Sequence, residues 1–240
     1  MFNYMSSFIF MPNNPKLKIV PLQEVVFEIR YEGFRYLQFA DISNRFKEAI
    51  KVDFPIFEDL YIPEVPIEIP EAFRIVRQRF YNPEKTRIVQ LGLGVFTLNH
   101  TAYDGYESFL KDLNKIWALH REITQVEKIN RVGLRYINRF SAEDKPILNI
   151  DLKLPEVFNA RRASNLVVLQ DSGLDKIKTN INIVGDSILL DIDYFKEGEG
   201  LNKIDELLVW IEKAHIQIYE RFTSALDSEF FKYLSEGHYD

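Results

Sequence analysis

Asn130-Arg131-Val132-Gly133-Leu134-Arg135-Tyr136-Ile137-Asn138-Arg139-Phe140 alternates with a period of two. Val132, Leu134, Tyr136 and Phe140 fall on one side, and Arg131, Gly133, Arg135, Ile137 and Arg139 on the other. That is a strand with one packed face and one polar face. Its position decides the fold. It follows a long amphipathic helix over Tyr103 to Ile123, separated only by Thr124 to Lys128, so the chain restarts a series of strands.

Working outward, the same layout occurs twice. The first pass opens with a strand at Gln23 to Tyr31, followed by a helix from about Phe39 to Val52 that begins around Asp41–Ser43. Phe54 to Pro70 carries Pro55, Pro63, Pro66 and Pro70 and predicts an extended or edge segment. A hairpin follows, Phe73 to Tyr81 and Thr86 to Asn99 around Asn82-Pro83-Glu84-Lys85. In the helix after it, Tyr106, Phe109, Leu110, Leu113, Trp117 and His120 make one apolar stripe.

The second pass runs through a poorly patterned connection, Ser141 to Ser164, to a strand at Leu166 to Gln170. A hairpin of Lys176 to Val184 and Ser187 to Phe195 turns at Gly185-Asp186. After Gly198 and Gly200, one long helix is expected from Asn202 to about Leu234. Phe230, Phe231 and Tyr233 on it offer a dimer contact.

The expected fold is α+β: a bent, mainly antiparallel sheet from two pseudo-repeated halves, with the helices packed on one face. The halves are about 19–125 and 126–240 of a single domain, 19–240, preceded by a flexible tail, 1–18.

Composition bounds the function. Net charge is −6 across 240 residues, which argues against a general nucleic-acid binder. There is no cysteine, so thiolate metal sites, cysteine nucleophiles and disulfides are excluded. The short apolar run Phe8-Ile9-Phe10-Met11 lacks the charged flank and length of a secretion signal, and no run is long enough to span a membrane. A cytoplasmic protein is expected.

The arginine strand is the leading site candidate. Arg131, Arg135 and Arg139 share a face along about 27 Å of strand and repel one another unless acids or an anionic ligand compensate them. Arg30 and Glu28 on the first strand, with Glu24, supply neighbours of both signs. The candidate anion site is therefore Arg131, Arg135, Arg139, Arg30 and Glu28, because guanidinium forks match phosphate oxygens. A charge-laced sheet face with cross-strand ion pairs is the competing reading.

Asp191 and Asp193 share a face two residues apart and are the candidate metal ligands, with Mg2+ as the ion. His120 and His215 lie on apolar helix stripes and read as core histidines donating to a backbone or carboxylate group. His100 and His238 read as loop and tail residues. Gly92 and Gly94, without a third glycine and a lysine, mark a bulge or a close helix–strand approach inside a strand, not a phosphate loop.

Three segments also resemble a known family: Pro21-Leu22-Gln23-Glu24-Val25-Val26-Phe27-Glu28-Ile29-Arg30, Arg131 through Arg139, and His215 through Ile218-Tyr219-Glu220-Arg221-Phe222-Thr223. The chain is similar from Pro21 onward to a sporadically distributed prokaryotic family of roughly this length with no assigned biochemical activity. The resemblance implies a cytoplasmic protein of patchy occurrence, a pattern associated with mobile or defence loci, and it supplies no catalytic residues.

The expected function is accordingly a non-enzymatic binding or interaction protein, of accessory or antitoxin-like kind, with no cofactor and with a protein partner or a second copy of itself. The alternative is a nucleotide- or phosphate-binding protein, with RNA among its ligands, or a Mg2+-dependent phosphohydrolase, using the arginine-lined face.

Overall fold

In a computed structural model of the protein, the residues described are 17–61, 75–141, 147–148, 163–198 and 204–238. The elements are β1 (Leu22–Tyr31), α1 (Tyr36–Ile50), β2 (Ile56–Tyr61), β3 (Ile75–Tyr81), β4 (Arg87–Gly92), β5 (Val95–His100) and α2 (Tyr106–Thr124). Then come β6 (Ile129–Ser141), β7 (Ala163–Ser172), β8 (Asp175–Val184), β9 (Ser187–Glu197), α3 (Ile204–Ala225) and α4 (Ser228–Glu236).

The nine strands among the described residues form one sheet in the order β2-β3-β4-β5-β1-β6-β9-β8-β7, with every neighbouring pair antiparallel. Four strands on each side of the β1–β6 seam correspond, and β2 of the first half has no counterpart among the described residues. In each half the opening strand lies beside the last strand of the meander that follows it: β5 beside β1, and β9 beside β6. A long helix then follows, α2 or α3. The two opening strands pair with each other and join the halves.

Strand parity sorts the two faces. Val25, Phe27, Ile29 and Tyr31 of β1, and Val132, Leu134, Tyr136 and Phe140 of β6, are buried in one core. All four helices pack on that face. Phe46 of α1 meets Phe80 and Phe96, Trp117 of α2 meets Phe96, Trp210 of α3 meets Tyr194, and Phe230 of α4 meets Phe140. No helix among the described residues is long and apolar enough to cross a membrane.

Four expectations are corrected. The stretch Thr86 to Asn99 is two strands, folded back at Leu93-Gly94. There Gly94 lies so close to β1 that a Cβ would meet the Tyr31 carbonyl oxygen at 3.0 Å, so the glycine serves a turn and not a bulge inside one strand. α1 starts at Tyr36, before Asp41, with the Gln38 side chain accepting from the Arg35 N–H at 3.1 Å.

The last helix is broken in two. The Asp227 carboxylate accepts from the N–H groups of Glu229 and Phe230, which starts α4, while its own N–H bonds the Ile147 carbonyl. Phe230, finally, is 7% exposed and belongs to the core, with Phe231 and Tyr233 partly buried against it, so this aromatic stretch is not freely exposed. The tail to residue 16, the proline-rich run 62–74 and most of the connection 142–162 lie outside the described residues.

Candidate functional site

The face of the sheet opposite the helices gathers the predicted charges. The register sets Val26 opposite Arg135, Glu28 opposite Gly133 and Arg30 opposite Arg131. On the other side of β6, Arg135 is opposite Asp193 and Ile137 opposite Asp191. Three arginines and three carboxylates therefore meet at the seam, each contributed by a strand on which parity alone fixes the direction of its side chain.

Arg131 is the centre of the cluster. Its guanidinium donates to Glu28 Oε1 at 2.7 Å and to Asp193 Oδ2 at 2.7 Å, and stacks over the Phe195 ring at 4.7 Å. Gly133 makes this possible: a Cβ there would lie 2.7 Å from Arg131 Nη1. Missing that carbon, Gly133 forms a floor on which the arginine folds back along its own strand.

Arg135 grips Asp191 with two bonds of 2.7 Å. That bidentate pair holds the Arg135 pKa above its ordinary value. Arg30 Nε donates to the same Glu28 oxygen at 2.9 Å. The Asp193 carboxyl behaves differently. Burial, with help from the nearby Asp191 and Glu28, raises its pKa against the pull of Arg131 and Arg135.

The structure thus brings together Arg131, Arg135, Arg30, Glu28, Asp191 and Asp193. Arg139 shares the face but points out, exposed and without an ion pair among the described residues. Guanidiniums engage both carboxylate oxygens of Asp191 and the Oδ2 of Asp193 in this arrangement. Among the described residues no group of three His, Asp or Glu side chains is placed to hold a metal.

Beside the cluster a cleft of about 520 Å³ is bordered by Glu28, Arg30, Arg77, Leu93, Gly94 and Val95. Arg77 comes from β3, three strands from Arg30 in the sheet order, and has no ion pair among the described residues. Sequence reading missed it. Its parity was legible, but its place beside Arg30 depends on the registers of β3, β4, β5 and β1 taken together. A smaller hollow of about 110 Å³ is lined by Glu28, Arg30, Arg131, Gly133, Arg135 and Asp193.

The histidines occupy the helix face. His120 is fully buried, its Nε2 3.3 Å from the Tyr31 hydroxyl, and burial lowers its pKa to about 3. His215 Nδ1 lies 2.8 Å from the Tyr136 hydroxyl, and burial lowers its pKa to about 4. Both partners are tyrosines, not the backbone or carboxylate groups expected. His100 is no loop residue. It ends β5, is 1% exposed, and sits 3.3 Å from Asp112 Oδ2, which also accepts from Arg87 at 2.9 Å. Burial pushes the Asp112 carboxyl up, but its His100 and Arg87 partners outweigh that and hold it low.

A scan against protein-family models matches none of them, and no curated protein matches the sequence.

Proposed function

We propose that the chain is a non-enzymatic binding protein whose sheet face opposite the described helices takes a phosphate-bearing ligand of mononucleotide size. The observation that carries this reading is the cleft beside the seam. Arg30 uses only Nε toward Glu28, and Arg77 makes no ion pair among the described residues, so guanidinium donors remain for an anion. Leu93 and Val95 supply apolar wall for a base or sugar, and about 520 Å³ lies within the range of small-ligand sites. Arg131 and Arg135, engaged by acids, would set the field of the site without touching the ligand. An accessory role in a mobile or defence locus, implied by the family resemblance, fits such a binder.

The test is calorimetry and thermal melting of the full chain with AMP, ATP and pyrophosphate, without added metal. Saturable binding is expected, with stabilisation following mass action, about 2.7 kcal/mol at a hundredfold excess over Kd. Arg77→Ala and Arg30→Ala should each weaken binding while leaving the unliganded melting temperature in place; Arg139→Ala should change neither. Absence of saturable binding for all three ligands would refute the proposal.

A further inference from the structure

A second pocket, of about 360 Å³, opens on the opposite, helix-bearing face. It sits over the seam between the two halves, with Tyr136 of β6 as its floor. Tyr106 of α2 and, in contact with it, His215 of α3 line the pocket together with Tyr219 and Phe222 of α3, and Leu22 also borders it. Tyr106 and His215 stack flat, with centroids 4.0 Å apart and planes at 4°. This is the ring contact that bridges α2 and α3 among the described residues. Tyr103 lies against Tyr136 at 6.0 Å.

The polar groups of this pocket are incompletely used. His215 Nδ1 and the Tyr136 hydroxyl bond each other. The hydroxyls of Tyr106 and Tyr219 are buried and have no hydrogen-bond partner among the described residues. Buried hydroxyls normally find one, and these two belong to side chains that line the same cavity. The described lining residues include no lysine, arginine, aspartate or glutamate, and His215 is uncharged at neutral pH. The Glu212 carboxylate acts on Tyr106 from outside this lining, so an anionic ligand would be repelled, and a charged ligand of either sign would lose hydration without a charged side chain in the lining to meet it.

We propose that this pocket binds a small, uncharged, planar aromatic molecule bearing a carbonyl oxygen. Its ring lies among Tyr106, Tyr136, His215 and Phe222, and its oxygen accepts from the Tyr106 or Tyr219 hydroxyl. The site is independent of the arginine cleft, since the sheet separates them. Aromatic walls favour a flat ring through offset stacking, and the two orphan donors select an acceptor over a plain hydrocarbon.

The probe is 1-tetralone, a neutral bicyclic aromatic ketone, compared with tetralin, which has the same rings without the oxygen. Binding to the full chain is followed by calorimetry and by shifts of tyrosine ring signals in NMR spectra. Tetralone is expected to bind saturably below about 1 mM and more tightly than tetralin. The double variant Tyr106→Phe/Tyr219→Phe keeps both rings and should weaken tetralone by about two- to tenfold while leaving tetralin unchanged.

Val20→Trp adds bulk at an exposed position on the pocket rim, where Val20 is 54% exposed, and should weaken both probes without loss of folding. Equal affinity for tetralone and tetralin, an unchanged tetralone affinity in the double phenylalanine variant, indifference of both probes to Val20→Trp, or no saturable binding of either would each overturn the proposal.

Discussion

Asp175 and Asp193 sit on neighbouring strands, β8 and β9, but on opposite faces of the sheet. Asp175, on the helix face, accepts from the Tyr194 hydroxyl at 2.9 Å, Trp210 Nε1 at 3.0 Å and Lys213 Nζ at 2.6 Å. Burial pushes its carboxyl up, but the three donors outweigh that and leave its pKa lowered. Asp193, on the open face, accepts from Arg131 alone among the described residues, and burial leaves its pKa raised.

The difference lies in the number of donors set against burial and like charge. On the helix face a carboxylate is an anchor tying α3 to the sheet. On the opposite face burial outweighs the single arginine donor of Asp193, so that carboxylate is held less firmly in its charged form.

The contrast can be broken most sharply at the anchor. Asp175→Ala strands a buried indole N–H and a buried tyrosine hydroxyl, while Lys213, 53% exposed, can turn to water. The expected loss is roughly 2–4 kcal/mol in urea unfolding; less than about 1 kcal/mol would remove the distinction between the two carboxylates. Next is Gly133→Ala. Its Cβ would displace the Arg131 guanidinium from Glu28 and Asp193 at a cost of about 1 kcal/mol, and Asp193 should then titrate still higher. An unchanged Arg131 Nε–H signal by NMR would contradict this.

The pH dependence sharpens the comparison. By carboxyl NMR, Asp175 should titrate below the ordinary 3.8 and Asp193 above it. The Asp175 contribution to stability is therefore present above the unfolded pKa and lost as pH falls through its depressed folded value. For Asp193 the sign reverses: its contribution is present below the unfolded pKa and lost as pH rises through the raised folded value. Asp175→Asn should flatten the acid limb of stability against pH, and Asp193→Asn should abolish the loss on the rising side. Titration of both groups in the same direction would contradict the assignment. The smallest effect is expected at Arg139→Ala, within about 0.5 kcal/mol by the same unfolding assay.

Much of the fold was legible because strand and helix periods are local. The alternation of Val132, Leu134 and Tyr136 gave the packed face of β6, and Gly185, at φ 57°, gave the β8–β9 turn. The errors fall where a local signal was overruled by a distant contact. Thr86 to Asn99 reads as one run, yet Gly94 folds it back against Tyr31 of β1. The last helix keeps its apolar stripe past residue 226, yet Asp227 caps a new helix against Ile147.

By itself the sequence determined which side chains share a face: Arg131 with Arg135 and Arg139, Glu28 with Arg30, and Asp191 with Asp193. Tertiary structure alone decided which of them meet, because registers across nine strands are long-range quantities that no single segment encodes. Those registers fold Arg131 over Gly133 between two acids, bring Arg77 to the cleft beside Arg30, leave Arg139 outside, and set His215 against Tyr136 in a pocket on the other side of the sheet.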